Sequence, residues 1–390
     1  MSFDEIIERR GSHCIKWDGM EQMFGVPADT GIAMWVADMD FRPPACITQS
    51  VQAMVDHGIF GYFGNDKPYR DAICWWMQTR HGWAVDPANI FTTHGLVNGT
   101  GLCVEAFTHP GDAVVVFTPV YHAFARVITA AGRQVRELPL VNNCGRLEMD
   151  FGSYDALMTG TERMAILCSP HNPGGRVWTA EELRHVADFC QRHDMVLVSD
   201  EIHHDLVFPG QKHLPMPVAA PDCLDRLVMM TATTKTFNIA GCHTGNVIIS
   251  DPDLKQRFAA TMNGLGISPN SFGMHMARAA YSPEGAAWVD GLMAYLAGNQ
   301  RLFNDGMAAI PGVKAMELEA TYLSWVDFSG TGMDPAEFTR RVEKEAQIAV
   351  NYGSTFGTGG ASFLRINIAT PRSVVKEAVS RLQRAFADLQ

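Results

Sequence analysis

A chain of 390 residues, 47% hydrophobic and 19% charged, has the composition of a globular protein and the length for about two domains, which excludes disordered, fibrous and miniprotein classes. The formal charge of −11, with no block of five or more basic residues, argues against nucleic acid and anionic membranes as partners. No run approaches the ~18 apolar residues of a membrane span, and the opening MSFDEIIERR puts acids where a signal peptide needs a basic start and an apolar core, so a cytoplasmic protein is expected.

From about residue 85 to 260, short β-rich apolar runs alternate with helical stretches. The runs AVVVF (113–117), MAILC (164–168), MVLV (195–198) and LVMM (227–230) read as strands buried on both faces, and IFTT (90–93) as a further strand. The spacing predicts a helix over 179–193, where Thr179 and Glu182 stand at capping-box separation before an apolar stripe of period 3.6. This alternation predicts an α/β fold with a mostly parallel central sheet sandwiched by helices. Beyond residue 260 the pattern becomes helical over about 270–282 and 284–308, then strand-like near 313–328 and 347–368, with a last helix from about 372. The expected division is a large domain at 46–283 and a smaller α+β domain made from 1–45 and 284–390. Nine cysteines, odd in number and without a CxxC pair, are expected as reduced, mostly buried thiols.

In open parallel sheets, ligands bind beyond the carboxyl ends of the strands. Gly95, Tyr121, Asn172, Asp200 and Lys235 each follow one of these predicted strands, so five candidates converge on one rim. Each alone has a plainer reading, since an Asp after a strand can cap a helix, NPGG can be only a turn, and Tyr121 can be core. Together, a carboxylate, an amide, an aromatic plane, a glycine turn opening a helix and a lysine suit one anionic, aromatic, carbonyl-bearing ligand. The run DEIHHD (200–205) also suggests metal ligands. However, consecutive His203 and His204 point to different faces and no HExxH or Cys/His pair completes a set, so no metal is expected.

The segments SPHNPGGRVW (169–178), SDEIHHDL (199–206) and TKTFNIAG (234–241) resemble motifs of the fold-type I pyridoxal-phosphate enzymes, the aspartate aminotransferase superfamily. Within it, MWVADMDF (34–41), FGYFG (60–64), FTPVYHAF (117–124), DEIH (200–203), KTFNIAG (235–241) and FLRINIATPRS (363–373) are similar to the cystathionine β-lyase and cystalysin-type C-S lyases, in the same order along the chain. The resemblance implies pyridoxal 5'-phosphate as cofactor, joined to Lys235, an amine that apolar neighbours must keep partly neutral. It implies that Asp200 pairs with the ring nitrogen, that Asn172 and His203 bond the ring 3-oxygen, and that Tyr121 covers the ring near the leaving group. The phosphate is then expected on the N–H groups of Gly95, Leu96 and Val97 where a helix begins, with a threonine just before the lysine, Thr234 among the candidates, helping to hold it. Arg365 is expected to grip the substrate α-carboxylate as a two-point fork. Tyr62 is expected to reach the phosphate of a neighbouring subunit, making a homodimer with shared sites.

Departures from the family pattern are His243, where aminotransferases carry a phosphate-binding arginine, Ala232, where many relatives carry a hydroxyl, and Ala33 and Ala123, where the subgroup has proline. The first is shared with the lyase subgroup. The expected activity is therefore α,β-elimination on cystathionine, cysteine or a related S-substituted cysteine, releasing a thiol, pyruvate and ammonia. An aminotransferase is the alternative, because the same proton removal precedes both reactions. A regulatory protein that binds a transcription factor is a further alternative, against which stand the retained Lys235, Asp200 and Arg365.

Overall fold

Seven strands build the main sheet of the computed structural model, which describes residues 2–389: β1 (Ile90–Thr93), β2 (Ala113–Thr118), β3 (Gln134–Pro139), β4 (Glu162–Cys168), β5 (Val196–Asp200), β6 (Leu227–Thr231) and β7 (Gly245–Ile249). Their order is β1-β7-β6-β5-β4-β2-β3, and β7 alone runs against the others, pairing antiparallel with β6 and β1. Side chains of a strand alternate between faces, and here both faces are dry. Val115 and Phe117 of β2, with Ala165 and Leu167 of β4, enter one apolar layer; Val114, Val116, Met164 and Ile166 enter another. This two-sided burial is why the strands read as unbroken apolar runs.

Eight helices carry the argument: α1 (Lys67–His81), α2 (Leu96–Phe107), α3 (Ala123–Ala130), α4 (Ala180–Arg192), α5 (Pro252–Gly264), α6 (Ser271–Ala280), α7 (Pro283–Ala308) and α8 (Arg372–Ala385). Leu102 and Phe107 of α2, Ile128 of α3 and Phe258 of α5 cover one face of the sheet, while Trp76 of α1, Val186 of α4, Met274 of α6 and Trp288 of α7 cover the other. The capping box of α4 forms as expected: Glu182 N–H donates to Thr179 Oγ1 at 3.1 Å and Thr179 N–H to the Glu182 carboxylate at 2.8 Å. A second, antiparallel sheet joins β8 (Lys314–Ala315), β9 (Leu323–Asp327), β10 (Asn351–Tyr352) and β11 (Phe363–Asn367) in the order β8-β9-β11-β10. The N-terminal residues Ile32 and Ala33 pair in parallel with Ile348 and Ala349. Among the described residues, no helix is long and apolar enough to cross a membrane.

The structure adds β3 and β7 to the strands read from sequence. Strand β3 is the edge of the sheet and its first residue is exposed, which blurs its apolar signal. Strand β7 follows the lysine turn with only a 3₁₀ turn (Ala240–Cys242) between them and no crossover α-helix, so it breaks the alternation that marks parallel units. Strand β5 begins one residue later than expected and includes Asp200 as its last residue, carrying that carboxylate to the rim.

Candidate active site

A cavity of about 780 Å³ opens at the carboxyl ends of the parallel strands. Gly95, Leu96, Val97, Tyr121, Asn172, Asp200, His203, Thr234 and Lys235 all line it. Nine residues predicted from sequence therefore share one space, although they come from five separate strand ends.

Lys235 sits in a single helical turn, Thr233–Thr236, directly after β6. Its Nζ donates to the Ala37 carbonyl at 2.6 Å. Burial pushes the ammonium down to about 8; Arg365 adds to the fall, while Asp38 and Asp200 oppose it. An amine so lowered is neutral in a useful fraction near neutral pH, as a nucleophile or base requires. Phe237 and Ile239, which follow the lysine, are buried but do not line this cavity; Phe237 packs on Trp76, Tyr281 and Trp288.

Asp200 moves the opposite way. Burial raises its carboxyl to about 7, with Glu201 adding to the rise, and Ile202 N–H at 3.1 Å is the only hydrogen-bond donor to the side chain among the described residues. A buried carboxylate facing a cavity with so little support is poised for a cation. His203 is buried, held neutral by desolvation, and its Nδ1 has no hydrogen-bond partner among the described residues. Burial keeps the Tyr121 phenol protonated, raising it from its ordinary range.

Gly95 carries φ 84°, a conformation that L side chains rarely adopt, and caps the N-terminus of α2. The first N–H groups of a helix lack intrahelical partners, so those of Leu96 and Val97 present donors and partial positive charge at the cavity wall. His243 also lines the cavity, and its backbone approaches Gly95, so the residue replacing the aminotransferase arginine stands at this same wall. Of the threonines near the lysine, Thr234 alone lines the cavity. Thr231 accepts a hydrogen bond from Asn246, and Thr236 donates to Asp205 at 3.0 Å.

Two expected residues lie elsewhere. Arg365, on β11, is buried behind the cavity wall, donating to Asn172 Oδ1 at 3.1 Å, to the Trp35 carbonyl at 3.0 Å and to Asn351; its Nε has no partner among the described residues. It reaches the site through Asn172. Tyr62 does not touch this cavity; it is 100% exposed and borders a separate groove with Phe60, Phe63 and His275.

His203 and His204 do point apart. His204 turns inward, where one of its ring nitrogens, one of His81's and an Asp205 oxygen lie within 4.8 Å of one another. Asp205 there also accepts hydrogen bonds from Trp76 at 2.9 Å and Thr236 at 3.0 Å, so the segment 200–205 alternates between groups facing the cavity and groups anchored in the core. Sequence reasoning missed Ala37 and Asn238. Asn238 accepts from Met39 N–H and donates to the Met39 and Phe41 carbonyls, tying MWVADMDF to the lysine segment. The Asn inside KTFNIAG, a residue type that tolerates the left-handed conformation it adopts here, was the available signal.

The family model described as aminotransferase class I and II matches residues 34–382. Cystathionine beta-lyase PatB of Bacillus subtilis is 39% identical to this chain, covering 99% of it and 100% of the relative. Protein MalY of Escherichia coli is 31% identical over 98% of each chain. Among solved structures, cystalysin from Treponema denticola, which contains a pyridoxal 5'-phosphate cofactor, superposes with a TM-score of 0.95 at 34% identity, covering 100% of this chain and 99% of that one.

Proposed function

Since the chain belongs to the aminotransferase class I and II family, we propose that it is a pyridoxal 5'-phosphate-dependent carbon–sulfur lyase acting on S-substituted cysteines. The observation that carries this reading is the pairing, in one cavity, of an amine lowered to about 8 with a buried carboxyl raised to about 7 that lacks a cation. Those groups, with the orphaned His203 Nδ1 and the N-terminus of α2, fit the cofactor's carbonyl, ring nitrogen, 3-oxygen and phosphate in turn.

Pyridoxal 5'-phosphate, when bound, supplies a ring that accepts the electron pair left on the substrate Cα. Lys235 would hold the cofactor and, once freed from it as a neutral amine, would take the Cα proton. Asp200 would keep a proton on the ring nitrogen, and Asn172 and His203 would orient the ring through its 3-oxygen. Leu96 and Val97 N–H groups, the Gly95 turn and Thr234 would receive the phosphate. Tyr121, its phenol kept protonated by burial, would cover the ring. Arg365, which adjoins the cavity through its bond to Asn172, would take the α-carboxylate there. The Cβ–S bond breaks, the thiolate leaves, and the remaining product hydrolyses to pyruvate and ammonia.

The test is pyruvate release, coupled to lactate dehydrogenase, from cystathionine, cysteine and S-methylcysteine, beside a transaminase panel with 2-oxoglutarate and pyruvate as acceptors. Pyruvate is expected to form faster than amino groups move. A brisk keto-acid exchange with pyruvate at background would replace the lyase by the aminotransferase reading.

The working unit in this proposal is a homodimer, in which Tyr62 completes the phosphate site of a neighbouring copy. Its full exposure, the exposure of Ile59 and Phe60 beside it, and its separation from its own chain's cavity support this. Mixing Lys235→Ala chains with Tyr62→Phe chains should restore activity, because one of the two sites in the heterodimer then has both native residues. Heterodimers without any rescue would return Tyr62 to a local role. The division at residues 46–283 and the cytoplasmic setting belong to the same proposal; nine unpaired cysteines fit a reducing compartment.

A further inference from the structure

We infer that Asp205 is the positioning residue for Lys235: from behind the cavity, its carboxylate fastens the lysine turn to the segment that carries Asp200 and His203, so that one buried side chain sets the two halves of the site against each other. The inference rests on the proposed roles of Lys235 and Asp200 and goes beyond them, since neither Asp205 nor its partner Thr236 lines the cavity.

The side chain of Asp205 is 0% exposed, and both of its oxygens have partners. Oδ1 accepts from Trp76 Nε1 at 2.9 Å and lies 2.8 Å from His81 Nε2, both on α1. Oδ2 accepts from Thr236 Oγ1 at 3.0 Å and lies 3.2 Å from His204 Nε2. Burial opposes a charge here, but the imidazoles and the Thr236 hydroxyl outweigh it and hold the carboxyl well below its usual range. An ionised carboxylate only accepts, so His81 carries its proton on Nε2 and the Thr236 hydroxyl donates to Asp205. Hydrogen bonds to a charged acceptor are the stronger kind.

The lysine turn needs such an anchor. Thr233–Thr236 is a helix of four residues whose N-cap, Ala232, makes no side-chain bond, and so short a helix is not stable by itself. Successive residues of a helical turn point about 100° apart, and here Lys235 faces the cavity while Thr236 is turned into the core, fully buried. Fixing the Thr236 hydroxyl therefore fixes the direction in which the lysine side chain leaves the turn. On the other side, His204 N–H donates to the Glu201 carbonyl at 3.1 Å and Leu206 N–H to the His203 carbonyl at 2.9 Å, so the segment from Asp200 to Asp205 is tightly wound and moves with Asp205. Small misplacements between reacting groups cost rate.

The experiment uses Thr236→Val, which keeps the shape and removes the hydroxyl, Thr236→Ser, which keeps the hydroxyl, and Asp205→Asn. Cofactor-free protein is mixed with pyridoxal 5'-phosphate below the melting transition of every variant, and the rate of borohydride-trapped attachment to Lys235 is followed, with kcat and KM for pyruvate release measured beside it. The valine variant is expected to attach the cofactor about tenfold more slowly and to lose about tenfold in kcat with KM within about twofold of native, as for one lost hydrogen bond to a charged group outside the cavity. Serine should restore both rates. Combining Thr236→Val with Asp205→Asn should slow attachment by less than the product of the single effects, because both remove one link. A valine variant that melts lower but attaches the cofactor and turns over within about twofold of native, less than one such bond supplies, makes the contact merely structural and overturns the inference; so do effects that multiply in the double variant. If the native protein attaches the cofactor but releases no pyruvate, the lyase reading fails alone, and the attachment rates still decide the role of Asp205.

Discussion

Replacing Lys235 by alanine is expected to lower kcat for pyruvate release by at least about 10³-fold, the range that loss of a positioned base alone reaches. The loss is compounded because the same amine carries the cofactor. Lys235→Arg should be equally inactive. It keeps a cation of similar reach, but a guanidinium stays protonated where this amine, pushed down to about 8 by burial, can be neutral. The pair of variants therefore separates chemistry from charge. Colour gives an independent readout: the native protein should be yellow, borohydride followed by peptide mapping should mark Lys235, and both variants should lose that mark. Retention of more than about a tenth of native kcat, far above what loss of a base allows, would remove Lys235 from the proposed role.

Asp200→Asn is expected to lower kcat by about 10²-fold, because an amide cannot keep a proton on the ring nitrogen, and preorganised charge of this kind is worth about two to three powers of ten. Its effect on stability should have the opposite sign. In the cofactor-free chain, burial raises this carboxyl from the usual carboxylate range to about 7, so the folded state binds the proton more tightly than the unfolded state. Linkage then makes the native carboxyl increasingly costly as pH rises from about 4 to about 7, and level above that. The Asn variant, which has nothing to titrate there, should melt higher than the native cofactor-free protein at pH 8, with the advantage shrinking as pH falls toward 4. Melting curves of the two cofactor-free proteins across that range check the sign. An Asn variant that melts lower at pH 8 would mean that Asp200 is already paired inside the protein, contrary to its single hydrogen bond from Ile202. The loss of activity alongside a gain in stability is what a strained functional group should produce.

Much of this was legible in the residues themselves. Buried parallel strands need apolar side chains on both faces, so AVVVF, MAILC and LVMM announced β2, β4 and β6, and the rule that ligands sit beyond strand ends made Tyr121, Asn172, Asp200 and Lys235 candidates. The capping box at Thr179 and Glu182 is a local interaction, complete within four residues, and it formed as read. The edge strand β3 and the antiparallel β7 were missed because one lacks a strong apolar pattern and the other lacks a crossover helix.

Tertiary structure decided what depends on distant segments meeting. Which threonine faces the cavity is one such matter: Thr231, Thr233 and Thr234 are alike in type, and the partners Asn246 for Thr231 and the cavity for Thr234 come from the folded chain. The Ala37 carbonyl that receives Lys235 lies 198 residues away, and Asn172 that fixes Arg365 lies 193 away. Such pairings leave no periodicity in the sequence. By itself the sequence determined the strands, the caps and the chemical kinds of residue at the rim, because those follow from burial patterns and local hydrogen bonding. The depressed amine and the raised carboxyl were decided only by the fold, because desolvation and charge proximity are properties of three-dimensional neighbours.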